Sequence, residues 1–336
     1  SGNYGVTYYG SKLSEYDDSL LLIAEEDNSY QINLTDFDSG WDYSYYHTLY
    51  ANLMQTSQSG ASWGNMDYLA GQMHFQGQGY QDSWGAINYI ESHDENRLTY
   101  AGNFYENMTL EYAHKRSQLG AVVLFTGQGV PMIYHGQEFG QFGTSREGET
   151  IIPQPLQWEN LDNSLGQDTY TFYSKLIKLR SEVDVLRGAH LEFKYQDSDA
   201  KVLSYWRIGD NQKAIIVANF DDQDHAIDLE FPNNGIWYDY LNDSEINIES
   251  NYYGGYLVPQ ATGIIFLSEL PESENCNHNM DINFDGITNI LDVVQTVNFV
   301  LGTLTFNDNQ ICNADINLDG IVNILDIITT VNLILN

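Results

Sequence analysis

Two stretches near the carboxyl end, DINFDGITNILD (Asp281 to Asp292) and DINLDGIVNILD (Asp315 to Asp326), constrain the fold of this chain more than any other feature. Each sets an oxygen-bearing side chain at loop positions 1, 3, 5, 9 and 12 and Gly at position 6. Calcium takes about six to eight oxygens, and the Gly permits the sharp turn that wraps them around the ion. In the first loop the ligands would be Asp281, Asn283, Asp285, Asn289 and Asp292, plus the carbonyl of Ile287. In the second they would be Asp315, Asn317, Asp319, Asn323 and Asp326, plus the carbonyl of Ile321. Each loop runs into an apolar stretch of helical character, VVQTVNFVLG and IITTVNLILN. The repeat therefore predicts a small α-helical domain at residues 276–336 that holds two Ca2+ ions.

The rest of the chain has a different grammar. Residues 1–187 alternate short apolar runs with amphipathic stretches. SLLLIAE (Ser19 to Glu25), GAINYIESHD (Gly85 to Asp94) and GVPMIYHGQE (Gly129 to Glu138) read as buried strands ending in polar residues. YSYYHTLYANLM (Tyr43 to Met54), LEYAHKRSQLGAVVLF (Leu110 to Phe125) and TYTFYSKLIKLRSEVDVL (Thr169 to Leu186) carry helical spacing of apolar residues. Strand alternating with helix predicts a parallel α/β architecture with its chemistry at the carboxyl ends of the strands. From residue 188 to 270 the pattern turns to period two, in KVLSYWRI, KAIIVANF, HAIDLEF, GIWYDYL and GIIFL, which predicts an antiparallel β-sandwich. PESEN at residues 271–275 is a linker.

Charge narrows the partners. Asp plus Glu number 47 against 13 Lys plus Arg, a formal charge of −34. Such a chain repels nucleic-acid phosphates and anionic membranes. The 25 Tyr, 14 Phe and 6 Trp argue against disorder. They suit a secreted protein handling neutral polar polymers such as sugars, and equally suit plain core and surface filling. No run approaches the roughly 20 apolar residues of a membrane helix. SGNYGVTYYG shows no signal peptide and no initiator Met, so the chain is read as processed or as a fragment. Cys276 and Cys312 each precede a loop, which leaves a disulfide across the repeat in an oxidising compartment or two buried thiols.

Three segments in order carry a resemblance. YIESHDENR (Tyr89 to Arg97) is similar to the seventh-strand motif of glycoside hydrolase family 13, the α-amylase family. LLLIAEEDN fits that family's fifth-strand motif and GVPMIYHGQEFG its eighth. PLQWEN, the helix of FYSKLIKLRSEVDVLRG and the sandwich behind it resemble the last barrel helix and domain C. The fold implied is the later part of a (β/α)8 TIM barrel, strands five to eight, followed by domain C. With Asp at position 12, where a full EF-hand has Glu, the duplicated tail resembles a type I dockerin. Dockerins bind a cohesin through loop positions 10 and 11. Here these are Ile290-Leu291 and Ile324-Leu325 instead of small hydroxyl pairs, so a stabilising or cell-surface anchoring module is an equal reading.

The resemblance implies an α-glucan (starch-like) substrate, a retaining mechanism and a secreted or cell-surface location. Glu25, the first residue after the apolar run, would be the general acid/base, with Glu26 the competing neighbour. Asp94 would stabilise the transition state and bind sugar hydroxyls, and His93 would donate a hydrogen bond to the substrate. Trp41 and Tyr43, with Tyr46, would stack on glucose rings or pack in the core. Arg97 would pair with a carboxylate near the site. Glu138 would fasten the eighth-strand loop, His135 and Gln137 would have structural roles, and His74 and Trp84 would pack. The family's nucleophile is an Asp in a Gly-x-Arg-x-Asp segment on the fourth strand. No such segment precedes Glu25, and Asp17 and Asp18 belong to the opposite end of a strand. The expectation is a chain that lacks the nucleophile-bearing half and is inactive alone. A glucan branching enzyme and a non-catalytic carbohydrate-binding or scaffold-attached module are the alternatives.

Overall fold

The apolar runs become very short strands. In the computed structural model, which describes all residues except 1, 18, 27–28, 58–59, 148–149, 272–277, 318–319 and 336, β1 (Ile23–Ala24), β2 (Ser39–Trp41), β3 (Ala86–Asn88) and β4 (Val130–Pro131) form one sheet. They lie in sequence order and every pair is parallel, with Ala24 opposite Gly40, Gly40 opposite Ala86 and Ile87 opposite Val130. Asp18, most of the linker, Cys276 and Asp319 lie outside the described residues. The strands are shorter than the runs that predicted them because flanking backbone bonds elsewhere. Leu22 N–H, for example, donates to Asp38 Oδ2 at 2.7 Å. Gly40 is required at the sheet centre, since a Cβ there would lie 2.6 Å from the Glu26 carbonyl oxygen. Among the described residues β1 pairs only with β2, and Leu21 and Ile23 beside that edge are exposed.

Helices fill the intervals. An N-terminal helix that no sequence signal announced, α1 (Gly2–Tyr16), precedes β1, and α2 (Ser29–Asn33) follows it. Next come α3 (Tyr43–Met54) and α4 (Met66–Met73), then, after β3, α5 (Leu98–Tyr100) and α6 (Leu110–Thr126). Three of the long helices start on a side-chain cap that satisfies an orphan N–H. Asp42 caps Tyr45 N–H, Thr109 caps Tyr112 N–H, and Asn163 caps Gly166 N–H at the start of α7 (Ser164–Glu182). Between α6 and α7 lie β4 and a hairpin of β5 (Arg146–Glu147) with β6 (Thr150–Ile151).

The period-two region is a sandwich. Its larger sheet has the order β12-β11-β14-β9-β8-β7, from β12 (Ser244–Ile248), β11 (Gly235–Asp239), β14 (Thr262–Leu267), β9 (Lys213–Asn219), β8 (Val202–Ile208) and β7 (Glu192–Asp197). A second sheet pairs β10 (His225–Glu230) with β13 (Tyr252–Val258). Both contribute to one core, in which Ile227, Leu229 and Val258 meet Trp206, Val217, Trp237 and Phe266. Alternation predicted β8 to β11 and β14. It missed β7, β12 and β13, whose residues are mostly exposed or half-buried and so carry little apolar pattern.

The strand–helix region and the sandwich form a single compact unit, Ser1–Glu269. Arg207 of β8 is one reason. It is fully buried, and its guanidinium donates to the carbonyls of Thr126, Gly127, Leu186, Gly188 and His190. Burial and the neighbouring Arg180 press its pKa downward, while the carbonyl oxygens favour the charged form.

The second unit, Leu270–Asn336, contains α8 (Ile290–Val300), α9 (Asp308–Ala314) and α10 (Ile324–Leu335). Met280, Ile282 and Ala314 are its buried centre, with Phe306, Ile316 and Val322 against them. Cys312 is disulfide-bonded.

Arg207→Met should lower the unfolding free energy by about 3 kcal/mol or more, because several buried carbonyls lose their donor at once. Chemical denaturation measures this, and an unchanged midpoint would contradict the role given to Arg207.

Candidate active site

The carboxyl ends of the parallel strands open into a cavity of about 550 Å³, lined among others by Glu25, Trp41, Tyr43, Asp94, Tyr105 and Arg146. Glu25 directly follows β1, Trp41 ends β2, and His93 and Asp94 follow β3. Parallel α/β sheets place ligands at this end, where the loops are free to carry chemistry.

Three of the predicted residues meet. His93 Nε2 lies 3.5 Å from Glu25 Oε1 and 3.7 Å from Asp94 Oδ2. One ligand atom from each of the three falls within 4.8 Å of the others, close enough to hold a metal ion as well as a sugar. Positive charge is already supplied there by Arg146, whose guanidinium donates to Asp94 Oδ1 at 3.2 Å. All four side chains are between 40% and 49% exposed, so solvent or substrate reaches them. The oxygens of Glu25 and Asp94 are near enough for one sugar ring to touch both.

Aromatic rings border the acids. Trp41 packs its ring against Tyr89 at 5.3 Å and His93 at 5.9 Å. Tyr43 meets Tyr89 edge-on at 6.4 Å. Both are half-buried and line the cavity. Tyr46 does not join them as a sugar platform. It is buried, stacked on Tyr89 at 5.0 Å, and donates its hydroxyl to Glu95 Oε2 at 2.9 Å. Burial raises the pKa of Tyr46 well above its ordinary value and also raises that of Glu95. Trp84, expected to pack, is exposed. His74 meets Phe193 edge-on at 5.3 Å.

The loop bearing His93 and Asp94 is fixed from beneath. Glu91 and Arg97 are both completely buried, with Arg97 Nη1 donating to Glu91 Oε2 at 3.1 Å. Glu91 Oε1 accepts from Leu98 N–H at 2.8 Å, so the carboxylate spans the loop and fastens both of its ends. Arg97 Nε donates to Gln154 Oε1 at 2.8 Å, and the guanidinium lies 4.0 Å above the Tyr134 ring. Burial raises the Glu91 pKa, partly opposed by Arg97 and the Leu98 N–H. The outer side is tied to the hairpin segment, where Ser145 Oγ donates to the Asp94 carbonyl and its N–H to Asn96 Oδ1. In the loop after β4, buried Gln137 donates to the Tyr173 hydroxyl at 3.0 Å, and His135 bonds the Gln154 carbonyl.

Residues 9–170 match the family profile described as alpha amylase, catalytic domain, and residues 194–266 match alpha amylase, C-terminal all-beta domain. Both α-amylase domain types thus find a match in this chain. It is 26% identical over 218 residues to the α-amylase MalA of Haloarcula japonica, covering 63% of this chain and 29% of that protein. To neopullulanase 2 of Thermoactinomyces vulgaris it is 26% identical over 170 residues, covering 50% and 27%. The chain thus spans less than a third of the length of these two relatives. A solved Anoxybacillus α-amylase superposes with a TM-score of 0.62 at 14% identity, over 79% of this chain and 56% of that one, a likeness of fold. The α-amylase catalytic match contains Glu25, His93, Asp94 and Arg146, and the all-β match contains most of the sandwich.

The tail repeats its geometry. Asp292 Oδ1 accepts from the N–H groups of Ile282 and Asn283, and Asp326 Oδ1 from those of Ile316 and Asn317. Gly286 and Gly320, with φ of 84° and 80°, donate to Asp281 Oδ2 and Asp315 Oδ2. Hydrogen bonds also draw Asp281, Asn283 and Asp285 together in the first loop. Asp292 and Asp326 are fully buried, whereas Ile287 and Ile321 are exposed.

Arg146, Glu95 and Tyr105 were not predicted. Arg146 reaches Asp94 across 52 residues of sequence, a separation no local pattern reports.

Arg97→Met should destabilise the α-amylase catalytic segment by about 3–5 kcal/mol at neutral pH, since it leaves Glu91 buried and unpaired. The Glu91 pKa is raised in the fold, so its burial costs least below the ordinary carboxylate range and more as pH rises through its folded value. The penalty should therefore shrink on acidification, read from thermal melts across pH. A penalty independent of pH would exclude Glu91 as the cause.

Proposed function

We propose that this chain is part of a retaining α-glucan hydrolase. The observation that carries the reading is the meeting of Glu25, His93 and Asp94 at the strand ends, beside a cavity that Glu25 and Asp94 line. Retaining cleavage needs an acid that protonates the leaving oxygen and a carboxylate nucleophile about 5–5.5 Å away. Glu25 is the general acid/base, placed at the cavity edge with His93 beside it. Asp94 binds sugar hydroxyls and favours the positively charged transition state, with Arg146 fixing its outer oxygen. His93 donates to the substrate from between the two acids, and Trp41 and Tyr43 flank the ring. The resemblance puts the nucleophile in a Gly-x-Arg-x-Asp segment that residues 1–336 do not contain. Double displacement therefore requires that segment from outside this sequence.

The loops of the second unit bind two calcium ions in this reading. The donor set fits: three carboxylates and two Asn amides per loop, a Gly in the left-handed region at the turn, and Asp292 Oδ2 with acceptor capacity beyond its one N–H. Asp281, Asn283, Asp285, Asn289, Asp292 and the Ile287 carbonyl would hold one ion. Asp315, Asn317, Asp319, Asn323, Asp326 and the Ile321 carbonyl would hold the other. We read the unit as dockerin-like. Exposed Ile290, Leu291, Ile324 and Leu325 are the side chains a cohesin or cell-surface anchor would cover. The disulfide at Cys312 supports a secreted or cell-surface location.

Glu25→Gln, in a protein that also carries the nucleophile segment, should lower kcat on soluble starch by about 10²–10⁴-fold. Glu26→Gln should leave it within a few fold. The reverse ranking would move the acid to Glu26, and no activity on any α-glucan would end the hydrolase reading.

Calorimetry of the 336-residue chain should register two calcium ions. Asp281→Ala and Asp315→Ala should each remove one, and magnesium should substitute poorly. No calcium uptake would overturn the dockerin-like reading and leave the hydrolase reading intact.

A further inference from the structure

Four aromatic side chains beside the candidate active site have no part in the chemistry described so far. Tyr100 stacks on Phe104 with ring centroids 5.1 Å apart and planes at 12°. It also meets Tyr105 edge-on at 5.8 Å and Phe142 edge-on at 5.1 Å. Phe104 and Tyr105 meet at 5.2 Å. Clustered aromatics are ordinarily buried, yet Phe104 is 62% exposed, Tyr105 52% and Phe142 36%. An exposed apolar patch of this kind marks a surface that something covers.

Its position says what that is. Tyr105 lines the cavity that holds Glu25 and Asp94. Phe142 lines a second cavity of about 420 Å³, with Phe139, His114 and Asn163 among its walls. The cluster therefore links the candidate active site to a neighbouring groove by consecutive ring contacts.

The backbone beneath it is tied by hydrogen bonds. Residues Ala101–Tyr105 form a π-helical turn, an element that costs stability and occurs mostly at functional sites. Ala101 N–H donates to the Arg97 carbonyl, Glu106 N–H to that of Ala101, and Met108 N–H to that of Gly102. Asn103 Nδ2 donates to the Met108 carbonyl at 2.8 Å. Rings held in place before binding lose little entropy when a ligand stacks on them.

We infer that Phe104, Tyr105 and Phe142 form an extended stacking surface for the part of a glucan chain that leaves the active-site cavity. Sugar rings present C–H faces to aromatic planes and hydroxyls to water, which suits an exposed ring row flanked by polar residues. The site thus takes a linear polymer or long oligosaccharide, with short oligosaccharides held by the cavity alone. This inference rests on the α-glucan reading of the cavity.

The test is calorimetric binding of maltotriose and maltoheptaose to the full chain and to a Phe104→Ala/Phe142→Ala variant, neither residue belonging to the catalytic group. Wild type should bind the longer sugar more tightly, and the variant should lose about tenfold for maltoheptaose and stay within about twofold for maltotriose. Phe104→Tyr, which keeps the ring, should retain maltoheptaose affinity, and thermal melts verify that each variant is folded. Equal affinity of wild type for both sugars, or a variant that loses nothing on maltoheptaose, overturns the stacking surface and leaves the cavity reading standing. Wild type that binds neither sugar overturns both.

Discussion

The buried ion pair between Glu91 and Arg97 is the constraint on which the candidate site depends. Two opposite charges removed from water must compensate each other closely, so the loop between them has little freedom. That loop is Ser92 to Asn96, and it holds both His93 and Asp94. Its backbone is short and polar, with no apolar packing of its own to hold it. Without the pair the loop would keep only its outer ties to Ser145 and Arg146. A functional group held to within fractions of an ångström needs such support from groups that never touch the substrate.

The same logic recurs away from the site. Only 13 of the residues are Lys or Arg against 47 acids, yet Arg97, Arg116 and Arg207 are fully buried. Scarce cations would be spread over the surface if their main task were to balance charge. Arg97 serves the side chains of Glu91 and Gln154, whereas Arg207 donates to several backbone carbonyls at once. Arg116 donates to the Phe220 carbonyl, and Arg180 to those of Phe125, Gly127 and Gly129. Planar guanidinium groups serve here because five fixed N–H donors reach several carbonyls at once. The acidic excess remains outward, where it keeps anionic polymers away and does not oppose a neutral glycan.

Architecture and site were legible in the sequence to different degrees. Period two disclosed strands buried on one face, such as β8 and β9, and was silent for β13, whose YYGGYLV is mostly exposed. Helical spacing disclosed α3, α6 and the body of α7; α7 has one face in the core, whereas α3 and α6 are buried on most sides. The apolar runs overstated strand length, because burial makes a residue apolar whether or not its backbone pairs with a neighbour. Within the site, Glu25, His93 and Asp94 stood out because each follows an apolar run at a strand end. The partner of Arg97 lay six residues away in the quoted motif and was expected only as some carboxylate. Tyr46 was open between a sugar platform and the core and is core, since spacing on a helix gives its apolar face but not what covers it.

Local sequence by itself determined the repeated Asp/Asn loops, the alternation of strands with helices, the period-two sandwich and the acids at the strand ends. These are written in contacts a few residues long, where spacing alone fixes which side chains share a turn or a face. Only the tertiary structure decided that His93 sits between Glu25 and Asp94, that Arg146 pairs with Asp94, and that Phe142 meets Tyr100. Those contacts join residues tens of positions apart, and their geometry is set by how helices and sheet pack, which no local periodicity encodes.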